Sequence, residues 1–169
     1  MPVTLDTTLQ YLAWSEERFF ERLYELSESH YGASYGDPEW TVAKIAWHIA
    51  SGATWYEFCL TGTMHERPAV PTTRTELLVV GDYLRQRTAA IVAEGRHDDA
   101  ILHVVTDDEA FDVARSTLLT QAVLHSLEHR AQIAAALEAH GHEPLDLGAI
   151  DVWAFAAERG REFARAPTT

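Results

Sequence analysis

Two histidines are spaced so that their side chains could share one metal ion. His125 and His129 are four residues apart, inside a segment that contains neither glycine nor proline. On a helix this spacing places both rings on one face, with Cβ atoms about 5–6 Å apart. Two imidazoles can then reach one ion at about 2.0–2.1 Å from each ligating nitrogen. A histidine pair of this kind also occurs on ordinary polar helix faces, so the pair alone identifies no function.

A third histidine, His48, lies among apolar neighbours in the run IAWHIA at residues 45–50. Burying an imidazole without a polar partner is unfavourable by several kcal/mol. A metal ion shared with His125 and His129 would satisfy all three rings at once. The pair does not match the H-E-x-x-H motif of zinc proteases, because Ser126 stands where that motif has glutamate.

Four long segments must position these residues. Glycine and proline separate stretches with helical spacing of apolar residues, at about residues 5–29, 40–60, 75–94 and 116–139. Helices of about 20–25 residues span roughly 30–37 Å, so the pattern predicts an all-α four-helix bundle. We expect one domain over residues 1–169, with a last short helix near residues 150–161 and a small hairpin from Ile101–Val105 and Ala110–Ala114.

Composition and charge exclude several classes of function. The chain has 169 residues, with 13 Lys and Arg against 26 Asp and Glu, which gives a net charge of −13. The only lysine is Lys44, and no basic run offsets the acidity. Nucleic acid and anionic membranes are therefore unfavourable partners. No apolar run approaches the ~18–20 residues of a membrane span, and residues 1–6 lack the basic and apolar stretches typical of a signal peptide. We expect a cytoplasmic protein, whose single cysteine, Cys59, forms no internal disulfide.

The residues around the three histidines match two motifs of one family. His48 lies in IAWHIA with Trp55 seven residues on, and the second pair reads His125-x-x-x-His129-Arg130-x-Gln132. These stretches, 77 residues apart from His48 to His125, make the chain similar to the DinB/YfiT-like family of metal-binding four-helix bundles. The PLD run at residues 144–146 resembles the family's tail. Ala131 departs from the pattern, since the family often has glycine there.

The resemblance implies a function and a cofactor. It implies that His48, His125 and His129 hold a divalent ion, nickel or zinc, with open positions that are typical of catalytic rather than structural sites. Several relatives are thiol-dependent transferases or isomerases that use mycothiol or bacillithiol. The resemblance therefore implies a transferase or isomerase acting on a small electrophile, with a metal-bound water or a thiolate as the reacting group.

Three alternatives stay open at the level of sequence. The same three histidines could activate water in a metal-dependent hydrolase. The protein could also bind a metal or a small molecule without catalysis, as a stress protein. Finally, the histidines could pair only with protein groups in a plain structural bundle. A requirement for thiol, an exchangeable metal position and the metal content of tag-free protein distinguish these cases.

Four neighbours are candidates for a pocket or for supporting the ligands. Gly52 and Trp55 share the helix face of His48, so Gly52 could leave room beside the metal and Trp55 could line a cleft. Gln121 and Gln132 flank the histidine pair and could orient the ligands or a substrate. For all four, ordinary helix packing or surface contact is the alternative.

Other residues of these helices point away from the expected site. Glu128 and Arg130 lie about 100° off the histidine face, which favours a salt-bridging or subunit-contact pair over catalytic groups. Cys59 is eleven residues from His48, or about 16.5 Å along a helix, so we expect a small core residue there. Symmetric dimers are the commonest oligomers, and a homodimer acting on a small-molecule substrate is expected.

Overall fold

Five helices and a two-stranded hairpin make up most of the part of the chain that the computed structural model describes, residues 4–143 and 145–159. The expected all-α bundle with one small hairpin is confirmed. The elements are α1 (Leu5–Glu25), α2 (Val42–Thr61), α3 (Arg74–Glu94), β1 (Ile101–Val105), β2 (Ala110–Ala114), α4 (Arg115–Ala139) and α5 (Val152–Glu158), with 3₁₀ turns at Glu28–Gly32 and Leu147–Ile150.

The four long helices pack around one apolar core. Both α1 and α2 pack against α3 and α4, so the core lies between the two pairs. Each long helix contributes fully buried side chains, among them Leu12, Phe19, Ile45, Ile49, Leu84, Ile91, Leu119 and Ile133. Because α2 contacts two helices, it is buried along most of its length. The residues of α2 that face α4 are therefore well placed to form a site between them.

Local signals set most of the helix ends. The hydroxyls of Thr4, Thr41 and Thr73 each accept a hydrogen bond from a backbone N–H in the first turn, which satisfies one of the free donors at a helix start. Glu76 completes a capping box with Thr73. At the other end of α2, Gly62 adopts a left-handed conformation, φ 74°, that stops the helix.

The end of α1 differs from the prediction. The helix stops at Glu25 rather than near residue 29, because Leu26 is extended and the chain turns into a 3₁₀ segment. This turn carries Tyr31 into the core, where the residue is 4% exposed. Burial of an aromatic ring is worth more than one further helical turn of serines and glutamate.

The hairpin has the predicted bounds and leads directly into α4. Its strands pair antiparallel, from Ile101 opposite Ala114 to Val105 opposite Ala110. A salt bridge between Arg115 and Glu94 ties the start of α4 to the end of α3. The hairpin therefore fixes where α4, the helix that carries His125 and His129, begins.

The last helix is shorter than predicted within the described residues. Asp151 caps α5, and Phe155 packs its ring against Tyr11 and Trp14 of α1 at centroid distances of 5.8 and 5.4 Å. The end of the predicted helix at residues 160–161, and Pro144 of the tail motif, lie outside the described residues. Within the described ranges, no helix is both long and apolar enough to cross a membrane.

Candidate metal centre

Helices α2 and α4 bring the three predicted histidines together. One ring nitrogen from each of His48, His125 and His129 lies within 4.8 Å of the others. The ring centroids are 5.0 Å apart for His48 and His125, 4.6 Å for His48 and His129, and 4.4 Å for His125 and His129. The i, i+4 pair on α4 thus faces the single histidine of α2.

The spacing of the nitrogens fits a shared ion. Nε2 of His48 lies 3.1 Å from Nε2 of His125. Two nitrogens bound to one tetrahedral ion at about 2.0–2.1 Å are about 3.3–3.4 Å apart. A set of three imidazoles suits zinc and nickel among the divalent ions. The residues present therefore fit a divalent metal ion.

The surroundings keep two of the rings neutral, as metal ligation requires. Burial lowers the pKa of His125 to about 4, and the neighbouring His129 and His48 add to this effect. Burial also lowers the pKa of His48, with further contributions from His129, Arg67 and Lys44. At neutral pH both rings consequently carry a lone pair that can bind an ion.

Gln132 fixes which nitrogen of His129 faces the other histidines. The indole Nε1–H of Trp40 donates a hydrogen bond to Oε1 of Gln132 at 2.9 Å. Nδ1 of His129 lies 2.8 Å from the same oxygen. Because this oxygen only accepts, Nδ1 of His129 carries the hydrogen, and Nε2 keeps its lone pair. Gln132, one of the candidates for orienting a ligand, thus lies directly against the ring of His129.

Trp40 is a site residue that the sequence analysis missed. It precedes α2, and its ring centroid lies 5.0 Å from that of His48 and 5.8 Å from that of His129. The indole therefore covers two rings while its N–H holds Gln132. A tryptophan beside a predicted helix start was the only available signal, and it did not show which way the ring would point.

Gly52 lies directly against the ring of His125. A Cβ atom at residue 52 would be 2.4 Å from Cε1 of that ring and 2.9 Å from Nδ1. Contacts this short do not occur in proteins, so any side chain at residue 52 would displace the ring. The space expected beside the metal site is filled by one of the histidines themselves.

The other two candidates lie further from the histidines. The Trp55 ring packs on the Phe58 ring, with centroids 5.7 Å apart. Within the described part of the chain, it makes no ring contact with His48, His125 or His129. Gln121 faces the hydroxyl of Tyr56, whose ring meets that of His125 edge to face at 5.6 Å. Gln121 therefore reaches the site only through Tyr56.

Two cations lie near the outer side of the site. Lys44 places its ammonium 5.5 Å from the centre of the Trp47 ring. The indole of Trp47 donates a hydrogen bond of 2.7 Å to the carbonyl of Pro68 and so holds the loop after α2 against that helix. Arg67 lies in this loop, and its charge acts on His48 together with that of Lys44. A chain with a net charge of −13 thus presents positive charge beside the histidines.

Arg130 is buried, unlike Glu128, with which a salt-bridging or subunit-contact pair was expected. It is 3% exposed, whereas Glu128 is exposed. The charge of Arg130 acts on Glu16 of α1, a carboxyl group that is itself 6% exposed. The face 100° from the histidines points into the bundle, because α4 packs against α1 as well as α2. Cys59 is a core residue, as expected, and burial raises the pKa of its thiol to about 11.

Comparison with known proteins gives one result. The sequence model of the DinB family matches residues 1–159, which is nearly the whole chain. No curated protein and no solved structure matches the chain significantly. The family match and the three-histidine cluster are together compatible with a metal-binding protein.

Proposed function

The chain belongs to the DinB family, and from this premise we propose that it is a metal-dependent enzyme. In this proposal His48, His125 and His129 hold a divalent nickel or zinc ion, and a low-molecular-weight thiol attacks a small electrophile. The observation that carries the proposal is the convergence of three imidazole nitrogens within 4.8 Å. Three protein ligands leave a coordination position free for a substrate.

The chemistry requires a thiolate at neutral pH. A divalent ion held by the three histidines would supply it, because a thiol that coordinates such an ion would lose its proton to solvent. The sulfur then forms a bond to the electrophilic carbon, and the leaving group departs with its electron pair. In an isomerisation the thiol is released again after the rearrangement.

The residues of the chain have distinct parts in this scheme. Gln132 holds the hydrogen of His129 on Nδ1, so its other nitrogen is free to bind. Trp40 covers the rings of His48 and His129 and limits the access of water there. Lys44 and Arg67 supply positive charge near His48. This charge favours an anionic reactant, such as a thiol that carries a carboxylate.

The first test is the metal content of tag-free protein. We expect about one equivalent of nickel or zinc per chain, and its loss in the triple variant His48→Ala, His125→Ala, His129→Ala. A polyhistidine tag would bind nickel itself, so it must be removed. A parent that takes up neither metal on reconstitution contradicts the proposal.

The second test is thiol dependence. Metal-loaded protein is mixed with an activated aryl halide as electrophile, with or without mycothiol or bacillithiol. The proposal expects product only when both thiol and metal are present. Product formed by water without thiol supports a hydrolase instead, and metal binding without turnover of any substrate tested supports a binding protein.

A further inference from the structure

A carboxyl group is buried behind the histidines. Glu16 of α1 is 6% exposed. The hydroxyl of Thr88, on α3, donates a hydrogen bond of 2.5 Å to its Oε2. Burial raises the pKa of this carboxyl, while Thr88, Ser126 and the charge of Arg130 oppose the rise. Three helices thus direct polar groups to one point in an otherwise apolar core.

A small cavity joins Glu16 to the candidate metal centre. Its polar lining includes Glu16, Thr88 and Tyr56, together with His125 and Ser126 of α4. It offers about 10 Å³ to the centre of a water molecule. One water needs about 10–15 Å³ measured in this way, together with two to four polar partners. The cavity is therefore polar enough, and just large enough, for a single water molecule.

Polar groups at the cavity call for such a water. Ser126 is 2% exposed, and its Oγ makes no hydrogen bond of normal geometry among the described residues, although it lies near enough to the Glu16 carboxyl to lower the pKa of that group. His125 directs Nε2 toward His48. If Nε2 binds an ion, Nδ1 carries the hydrogen and needs an acceptor. Gln132 is that acceptor for His129, whereas no described protein group hydrogen-bonds Nδ1 of His125.

We propose that one water molecule in this cavity links the His125 ring to the Glu16 carboxyl group, which makes Glu16 a positioning residue for the metal centre. The inference rests on the proposed metal centre and adds a residue from a helix that carries none of the three histidines. It gives His125 a carboxyl group that acts through a water molecule, whereas His129, the other histidine of α4, contacts the amide of Gln132 directly.

The arrangement around Glu16 supports this role. Arg130 donates from Nε to the backbone carbonyl of Ser126 at 3.3 Å, which anchors the cation beside the cavity. Its charge opposes the rise in the pKa of Glu16 that burial causes. A larger cleft of about 300 Å³ between α1 and α3 is also lined by Glu16 and Thr88.

The test compares Zn²⁺ affinities of tag-free variants by competition with a chromophoric chelator. Glu16→Leu removes the acceptor, and we expect a loss of about 10–100-fold. Glu16→Gln keeps an oxygen that can accept, so it should restore most of the affinity. Glu57→Gln is the matched control, because Glu57 is also a buried carboxyl, paired with Arg87 at 3.2 Å, but lies outside this cavity. It should bind Zn²⁺ as the parent does.

A second variant covers the case in which Glu16→Leu fails to fold. The double variant Glu16→Leu, Arg130→Leu removes both buried charges together, which proteins tolerate better than removal of one. It should fold and still show the loss of affinity. In the Zn²⁺-loaded protein, nitrogen NMR of the His125 ring should show Nδ1 losing its hydrogen-bonded signature in the leucine variants alone.

The outcomes separate this inference from the function on which it rests. A parent that binds no Zn²⁺ overturns the metal centre and the inference together. A parent that binds Zn²⁺, with folded leucine variants that bind it equally well, overturns only the role of Glu16. An equal loss in Glu16→Gln and Glu16→Leu also contradicts the hydrogen-bonded link.

Discussion

The substitution Gly52→Ala tests whether close packing by α2 is what places the ring of His125. A Cβ atom at residue 52 would lie 2.4 Å from Cε1 of this ring, and ordinary contact begins at 3.4 Å, so the ring must retreat by about 1 Å. Metal–ligand distances are held to about 0.2 Å in functional sites. The required retreat is several times larger, so His125 cannot keep a ligand position.

The same substitution should leave the fold intact. Alanine in a helix interior is more favourable than glycine by about 1 kcal/mol. The atoms that it meets are the far end of the His125 side chain, which can turn away. We therefore expect Zn²⁺ affinity to fall at least about ten-fold, while the free energy of unfolding of the metal-free protein is nearly unchanged.

The assay combines titration calorimetry with Zn²⁺ and urea unfolding, both on tag-free protein. Gly81→Ala is the matched control, because a Cβ atom there would meet the Tyr24 hydroxyl and Phe20 of α1, away from the histidines. This variant should bind Zn²⁺ as the parent does. Parent-like affinity in Gly52→Ala, with the protein folded, would refute the argument that Gly52 places the ring.

Replacing Gln132 with leucine removes the acceptor of Nδ1 of His129, so chelator competition should show Zn²⁺ affinity about 10–100-fold lower; Gln132→Glu, which still accepts, should keep it. The metal-free protein should lose stability as the pH falls from about 6.5 toward 4. In the folded protein the pKa of His125 is about 4, and the pKa of His48 is also below its ordinary value. In this pH range the unfolded chain therefore binds protons that the folded protein does not, which favours unfolding. Urea unfolding at several pH values in this range measures how the free energy of unfolding changes with pH, and a constant free energy contradicts the prediction. Thr73→Ala removes the cap of α3 and should lower the free energy of unfolding by about 1 kcal/mol; an accompanying change in Zn²⁺ affinity would contradict the separation of this cap from the site.

The three histidines could be found from the sequence because their positions follow from helical periodicity. Two residues four positions apart on one helix share a face in any packing, so the pair His125 and His129 needed no knowledge of the fold. His48 stood out as the one polar residue in an apolar run. The hairpin and the start of α1 were also predictable, since β-branched stretches around a polar turn and a threonine cap are local signals.

The supporting residues could not be found in this way because tertiary packing selects them. Trp40 lies outside α2, and the direction of its ring depends on the turn between α1 and α2. Glu16 is followed by Glu17, and the two are indistinguishable as letters in an acidic helix. Only the contact of α1 with α3 and α4 buries the first of them and leaves the second exposed. The burial of Arg130 could not be predicted, because the sequence does not show that α4 has two buried faces.

Each ring in the candidate site is held by a different physical means, and this explains why the motif extends beyond the histidines. The ring of His125 packs directly against Gly52, which has no side chain to displace it. His129 is oriented by a hydrogen bond to Gln132. His48 is covered by the ring of Trp40. In the stretch H-x-x-x-H-R-x-Q, the glutamine thus orients a ring, while the positive charge of the arginine lowers the pKa of the buried Glu16 carboxyl on α1. A chain with only the three histidines at this spacing would lack these restraints, and we expect it to bind metal more weakly for that reason.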